Sequence, residues 1–483
     1  MKVPAELLPL SHGSTPGRLV AVALALLLGL VGAYAVNLWA GLAILALGLV
    51  VIARPLDPFV AVLLVAGVAA FAEYGDPHIQ RDLAIVLLLT FYALASLVVS
   101  SVSRRWALPV SRFTVALLAL AVTTGVAVLH GLAVRNPFRF LSLELFPLFA
   151  LSFSFVVGGL RLRPGDLRIA EWTLGAVGVA ASSIGFYHLA TTGTRTQGLP
   201  FSPVPGFIAL VVLALALFDP EPRPRLAPAL LFCLLVFHQI VTFTRGFWLG
   251  LLVGVPFTCA IYLFHGPGAR RRWPKVLRTL GLVGLVLALV VALASTWLGW
   301  SETIGMLGAR FASSFATKNS AETVSNVVRL IEFRTALNLI LSSPILGYGH
   351  GSTLVVKQFL SEQSGPQWWV HESYVMIWLK QGILGLAALL WLLFSAARLG
   401  VKGASHPTPQ IAGWCAASAA CTVFAAITGL TSYGFFAVNQ SFLLAVLWGV
   451  ALAAGEPERR RLVWRASRAG AVAGPDGGEE AST

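Results

Sequence analysis

Charge is scarce in this chain. Charged residues fill 11% of its 483 positions and hydrophobic residues 57%. A soluble domain carries about twice that charged fraction, so a soluble enzyme or binding module is excluded. Aspartate is scarce, with six copies at 57, 76, 82, 166, 219 and 476. No Asp-x-Asp pair or His/Asp cluster is available for a divalent cation, so no metal and no other cofactor is expected. The four cysteines, Cys233, Cys259, Cys415 and Cys421, all fall inside apolar runs without ligand or disulfide spacing, and read as small buried residues. No soluble basic domain exists to carry nucleic acid, despite a net charge of +14.

What the chain has in abundance is apolar runs, each able to cross a hydrocarbon core as a helix. They fall near 19–35, 38–53, 59–72, 83–102, 113–133, 141–160, 170–190, 204–218, 227–243, 246–265, 279–298, 373–395, 411–430 and 437–454. The expected fold is an all-α polytopic membrane protein of 12–14 transmembrane helices with one large extracytoplasmic helical loop. About eleven helices occupy 1–298, the loop 299–372, the last helices 373–455, and a basic, partly disordered tail 456–483. With a cytoplasmic N-terminus, 23 of the 34 Lys and Arg fall on one side of the membrane. The positive-inside rule makes that side the cytoplasm, so both termini are expected inside and the loop outside.

The arginines left on the outer side are then the informative ones: Arg139, Arg195, Arg245, Arg329 and Arg334 among them. Arg245 sits between Thr244 and Gly246 with scarcely any loop around it. Converging guanidinium groups suit an anionic ligand, a diphosphate above all, because arginine binds phosphate bidentately and keeps its proton. Singly, each also suits snorkelling to headgroups or pairing with a nearby glutamate.

In the loop, 321–341 reads as a helix. Arg329, Phe333, Ala336 and Ile340 recur on one face, and Ser342-Ser343-Pro344 stops it. Arg329 and Glu332 are one turn apart, a local ion pair on a solvated face or part of a site. The Gly347/Gly349/Gly351 run offers backbone N–H groups for close approach to a ligand. His371-Glu372 opens the next apolar helix, where a histidine can take a proton from an incoming hydroxyl. His350, in the glycine turn, competes for that role. Glu144 and Lys380 are charges inside or near spans.

Four ordered signatures resemble the O-antigen ligase/O-antigen polymerase superfamily of bacterial envelope glycosyltransferases. They are Arg195-Thr196-Gln197-Gly198 with Pro200 to Pro205, and Thr244-Arg245-Gly246 with Trp248. Arg329-x-x-x-Phe333-x-x-Ala336-Leu337 follows, with Pro344-Ile345-Leu346-Gly347-x-Gly349. Last comes His371-Glu372-x-Tyr374 through Gln381-Gly382-Ile383-Leu384-Gly385. Glu372 stands where that family usually has Asn, Gln381 where it often has Glu, and Pro203-Val204-Pro205 replaces Pro-Asn.

The resemblance implies an inverting, metal-independent glycosyltransferase in the bacterial inner membrane, its active site facing the periplasm. The donor it implies is an undecaprenyl-diphosphate-linked glycan, and the acceptor lipid A–core or another glycan. His371 would be the base. Arg195, Arg245 and Arg139 would balance the diphosphate, and Arg329 would hold donor phosphate or orient the loop helix. Glu332, Arg334 and Glu372 would line the substrate site. O-antigen ligase is the favoured activity, with an O-antigen or exopolysaccharide polymerase as the alternative. A transporter for an anion or lipid-linked sugar is the alternative of another class.

Overall fold

The structure is a computed structural model. It describes residues 109–160, 162–192, 203–221, 225–242, 244–266, 272–298, 320–355, 366–367, 370–432 and 434–455, with isolated positions between 59 and 66 and at 305. These are almost wholly helical, as the apolar runs require: with no water to satisfy backbone groups, a spanning segment must pair them internally. In chain order the helices are α1 Arg112–Ala133, α2 Phe138–Leu151, α3 Phe153–Gly158, α4 Pro164–Thr192, α5 Val204–Phe218 and α6 Leu226–Val241. They continue as α7 Arg245–His265, α8 Arg272–Leu298, α9 Ser320–Ser342, α10 Ser373–Gly403, α11 Pro409–Thr428 and α12 Val438–Ala454. A two-residue antiparallel pair, β1 Leu354–Val355 with β2 Pro366–Gln367, is a small addition to the expected all-α loop.

Among the described residues, six segments are long and apolar enough to span a membrane: Arg112–Ala133, Phe138–Gly158, Pro164–Tyr187, Arg245–His265, Ser373–Gly403 and Pro409–Thr428. The protein is a polytopic α-helical membrane protein. Expected spans before residue 109 lie outside the described residues, isolated positions aside.

Helix α11 is the central post, packed against α5, α7, α10 and α12. Its run of Ala, Gly, Ser and Cys lets neighbouring backbones approach closely. A Cβ at Gly400 of α10 would lie 2.6 Å from Cys415 O. Indole N–H groups that fall inside the bundle find acceptors: Trp448 Nε1 donates to Thr422 Oγ1 at 2.8 Å. All four cysteines are buried and unpaired.

Tertiary contacts sort the loops into two ends. Ser373 donates its N–H to Gly429 O and Ser432 O, and Gly246 abuts Thr431, at one end. At the other, His265 bonds Ser405, Lys275 bonds Asp219 O, and Gln410 bonds Glu171. The second end also carries Arg112, Arg163, Arg168, Arg225, Arg272 and Lys402, so the alternation drawn from charge agrees with the packing.

Helix α5 is short. Its 15 residues span about 22 Å, some 8 Å less than a ~30 Å hydrocarbon core. Phe218 at its last turn packs edge-on against Tyr262 near the end of α7, with centroids 5.2 Å apart. At the opposite end, where the α7, α10 and α11 termini meet, the first residue of α5, Val204, is fully buried.

Helix α10 is broken. Gly382 has φ 70° and ψ −173°, which interrupts the helix and frees the carbonyls of the preceding turn. The segment after α9 fills the gap: Tyr348 N–H bonds Leu379 O at 2.8 Å and Gly349 N–H bonds Lys380 O at 3.0 Å. Ile383 N–H returns to Pro344 O at 2.9 Å. A side chain at Gly382 would place its Cβ 1.8 Å from Ile345 O, so only glycine fits.

Candidate active site

Helix α9 forms over 320–342, close to expectation, and ends where Ser343-Pro344 begins the turn. Its buried stripe is Glu332, Ala336 and Ile340, at 1%, 0% and 1% exposure, whereas Phe333 is 38% exposed. Ala336 and Ile340 of the expected stripe are thus covered, and Glu332 takes the place of Phe333. A charged side chain occupies the covered face because it has a partner there: Glu332 Oε2 lies 2.6 Å from His371 Nδ1.

That bond fixes the histidine. A carboxylate on Nδ1 holds the imidazole as the tautomer with its proton on Nδ1, leaving Nε2 as the basic nitrogen. The His371 side chain is 30% exposed while Glu332 is 2% exposed, so the ring is open on the side away from its partner. A buried carboxylate behind a half-open imidazole is the arrangement of an oriented general base.

Glu372, the next residue, is the N-cap of α10, yet its side chain makes no capping bond. Its Oε2 is buried without a hydrogen-bond partner. Burial raises its carboxyl above the ordinary value near 4.5, against the opposing pull of His371. Arg329 is close enough to act on the same charge. His371, Glu332, Glu372 and Arg329 therefore share one neighbourhood.

Arg245 lies beside it. It is the first residue of α7, with Thr244 as N-cap. A Cβ on Gly246 would meet Thr431 Oγ1 at 2.0 Å, so α7 begins against the turn 429–432. The same turn accepts both bonds from Ser373 N–H and the bond from Ser373 Oγ at the start of α10. Arg245 and His371 thus flank one turn at one end of the bundle. Arg195 lies outside the described residues, in the connection that enters α5. Arg334 is exposed on α9, on the face away from Glu332. Arg139 is exposed at the start of α2, which packs mainly on α12. Neither is brought to the dyad by a described hydrogen bond.

The glycine turn does not offer its N–H groups to a ligand, contrary to expectation. Those of Tyr348, Gly349 and His350 go to Leu379 O, Lys380 O and Ala127 O, and that of Gly351 goes to Glu144 Oε2 at 2.9 Å. His350 is fully buried, its Nδ1 2.8 Å from Glu144 Oε2 and its Nε2 3.0 Å from Gln381 Nε2. With both nitrogens engaged and no solvent contact, it is not a base for an incoming hydroxyl. Lys380 Nζ completes the cluster, 2.7 Å from Glu144 Oε1 and bonded to Ser352 O. The sequence signal was three ionisable residues in or beside apolar runs; their mutual pairing was not visible there.

Among curated proteins none matches the chain. The family model described as O-Antigen ligase matches residues 228–390, which contain Arg245, Arg329, Glu332, His371, Glu372 and the broken first half of α10. The segment 228–390 is thus similar to the O-antigen ligase family and is carried within a multi-pass membrane protein.

Proposed function

We propose that the chain is a glycosyltransferase acting as an O-antigen ligase, moving a glycan from undecaprenyl diphosphate to a hydroxyl of lipid A–core outside the inner membrane. The observation that carries this reading is the His371–Glu332 dyad, half open, at the same end of the bundle as Arg245. The acceptor oxygen attacks the anomeric carbon from the face opposite the diphosphate, and its proton passes to His371 Nε2. The C1–O bond to the diphosphate breaks in the same displacement, inverting the centre, and undecaprenyl diphosphate departs with the bonding pair. Its charge is balanced by Arg245 and Arg195, with Arg329 beside the base, so the leaving group needs no metal. Glu332 stabilises the imidazolium until its proton returns to water. Arg139 and Arg334, exposed nearer the surface, suit the glycan or headgroups.

The test is turnover of a lipid-diphosphate-linked glycan by the purified full chain in detergent, with lipid A–core as acceptor. His371→Ala is expected to lower transfer by about 10²–10⁴-fold, and unchanged transfer overturns the base. A gene deletion separates ligase from polymerase. Loss of the ligase leaves polymerised lipid-linked chains unattached, whereas loss of a polymerase leaves core with at most one repeat. A transport reading draws on the broken α10 and the Glu144–Lys380 pair inside the bundle. Turnover in detergent, where no compartment exists, excludes transport as the sole activity.

A further inference from the structure

The Glu144–His350–Lys380 cluster takes no part in the chemistry above, yet the chain keeps these charges at 0–1% exposure. Such charges persist in a bundle only where they are paired and hydrogen-bonded. Every polar atom here has a partner. Glu144 Oε2 accepts from His350 Nδ1–H and Gly351 N–H, and Oε1 accepts from Lys380. Gln381 Nε2 reaches both His350 Nε2 and Thr124 Oγ1 at 3.0 Å, and Gln381 Oε1 faces Thr123 Oγ1 at 3.0 Å. An amide donating to His350 Nε2 leaves that ring neutral, so the cluster holds one negative and one positive charge. The flipped amide would require an imidazolium and leave one positive charge uncompensated. Charge balance selects the first arrangement.

What the cluster holds together is the dock between the glycine turn and the break in α10. Glu144 belongs to α2, His350 to the turn, and Lys380 with Gln381 to the last turn before Gly382. Both halves of the His371–Glu332 dyad are carried by helices that run to this dock. From Lys380 back to His371 is about 13 Å of α10, and from Ser343 back to Glu332 about 16 Å of α9. The helices run side by side in the same direction, and their relative height is set where they meet. A slip of one residue at the dock displaces one partner by about 1.5 Å, enough to break a 2.6 Å bond.

We infer that Glu144, His350 and Lys380 are positioning residues: a charge-balanced knot that locks the glycine turn into the broken helix and so holds Glu332 against His371. The inference rests on the reading of His371 as base. Its test uses the full chain in nanodiscs with the lipid-diphosphate glycan and lipid A–core. Two readouts are taken on monodisperse protein: kcat against donor KM, and bis-maleimide cross-linking of Glu332→Cys with His371→Cys. Lys380→Met and Glu144→Gln are each expected to lower kcat about ten- to hundredfold, with donor KM within about twofold, and to reduce cross-linking. The double variant restores charge balance and keeps an acceptor for His350 and Gly351, so both readouts recover substantially. Should the charge variants fail to fold, His350→Asn decides, since it keeps a donor for Glu144 and loses only the bond to Gln381. Wild-type kcat and cross-linking in monodisperse Lys380→Met or His350→Asn overturn the proposal, as does a change confined to donor KM. Lost cross-linking with undiminished transfer overturns the base reading instead.

Discussion

Among the described residues stand two histidine–glutamate pairs of nearly the same geometry and opposite character. His371 Nδ1 lies 2.6 Å from Glu332 Oε2, and His350 Nδ1 lies 2.8 Å from Glu144 Oε2. The difference is at the other nitrogen. Nε2 of His350 is consumed by Gln381 in a sealed interior, whereas His371 stays 30% exposed at the mouth of a helix. A carboxylate partner therefore does not by itself mark a catalytic histidine. What the second nitrogen meets decides between a structural clamp and a base.

The largest expected effect probes the sealed pair. Gln381→Glu sets a carboxylate beside His350 Nε2, so the ring takes up a proton and the cluster remains neutral overall; the variant folds. Combining it with His350→Gln removes the proton acceptor and leaves a buried negative charge uncompensated, at a cost of about 3–5 kcal/mol. His350→Gln alone closes the double-mutant cycle, and additive losses in thermal unfolding would contradict a neutral His350.

A smaller effect belongs to the open pair. Glu332→Gln keeps the shape and removes the charge behind the imidazole, so kcat is expected to fall about ten- to hundredfold with donor KM unchanged. A rise in KM alone would instead make Glu332 a ligand of the donor. The smallest effect concerns Glu372. Because burial holds its proton to higher pH in the folded chain, this carboxyl opposes folding from about pH 4.5 upward. Glu372→Gln should raise the unfolding midpoint by about one or two degrees at pH 7.5 and not at pH 4. An equal shift at both values would refute that origin.

Helix positions were legible because membrane burial imposes a local rule: a spanning segment is apolar and satisfies its own backbone. Runs at 113–133, 204–218 and 246–265 became helices within one or two residues of expectation. Phase was less legible. In the stripe on α9 Glu332 took the place of Phe333, since a carboxylate enters a covered face only with a partner from another element. The loop glycines announced tight turns, but Gly382, read as part of a motif, gave no sign that it breaks a span.

The sequence by itself determined that this chain crosses a membrane repeatedly, which end of each helix carries the basic residues, and that His371 opens α10 after a polar loop. Those are properties of short windows, where hydropathy and charge act residue by residue. Only the tertiary structure decided that Glu332 orients His371 from 39 positions away, that Arg245 and His371 flank one turn, and that Glu144, His350 and Lys380 neutralise one another. The physical reason is that a partner for a buried charge is set by distance in space, and no local spacing along the chain encodes it.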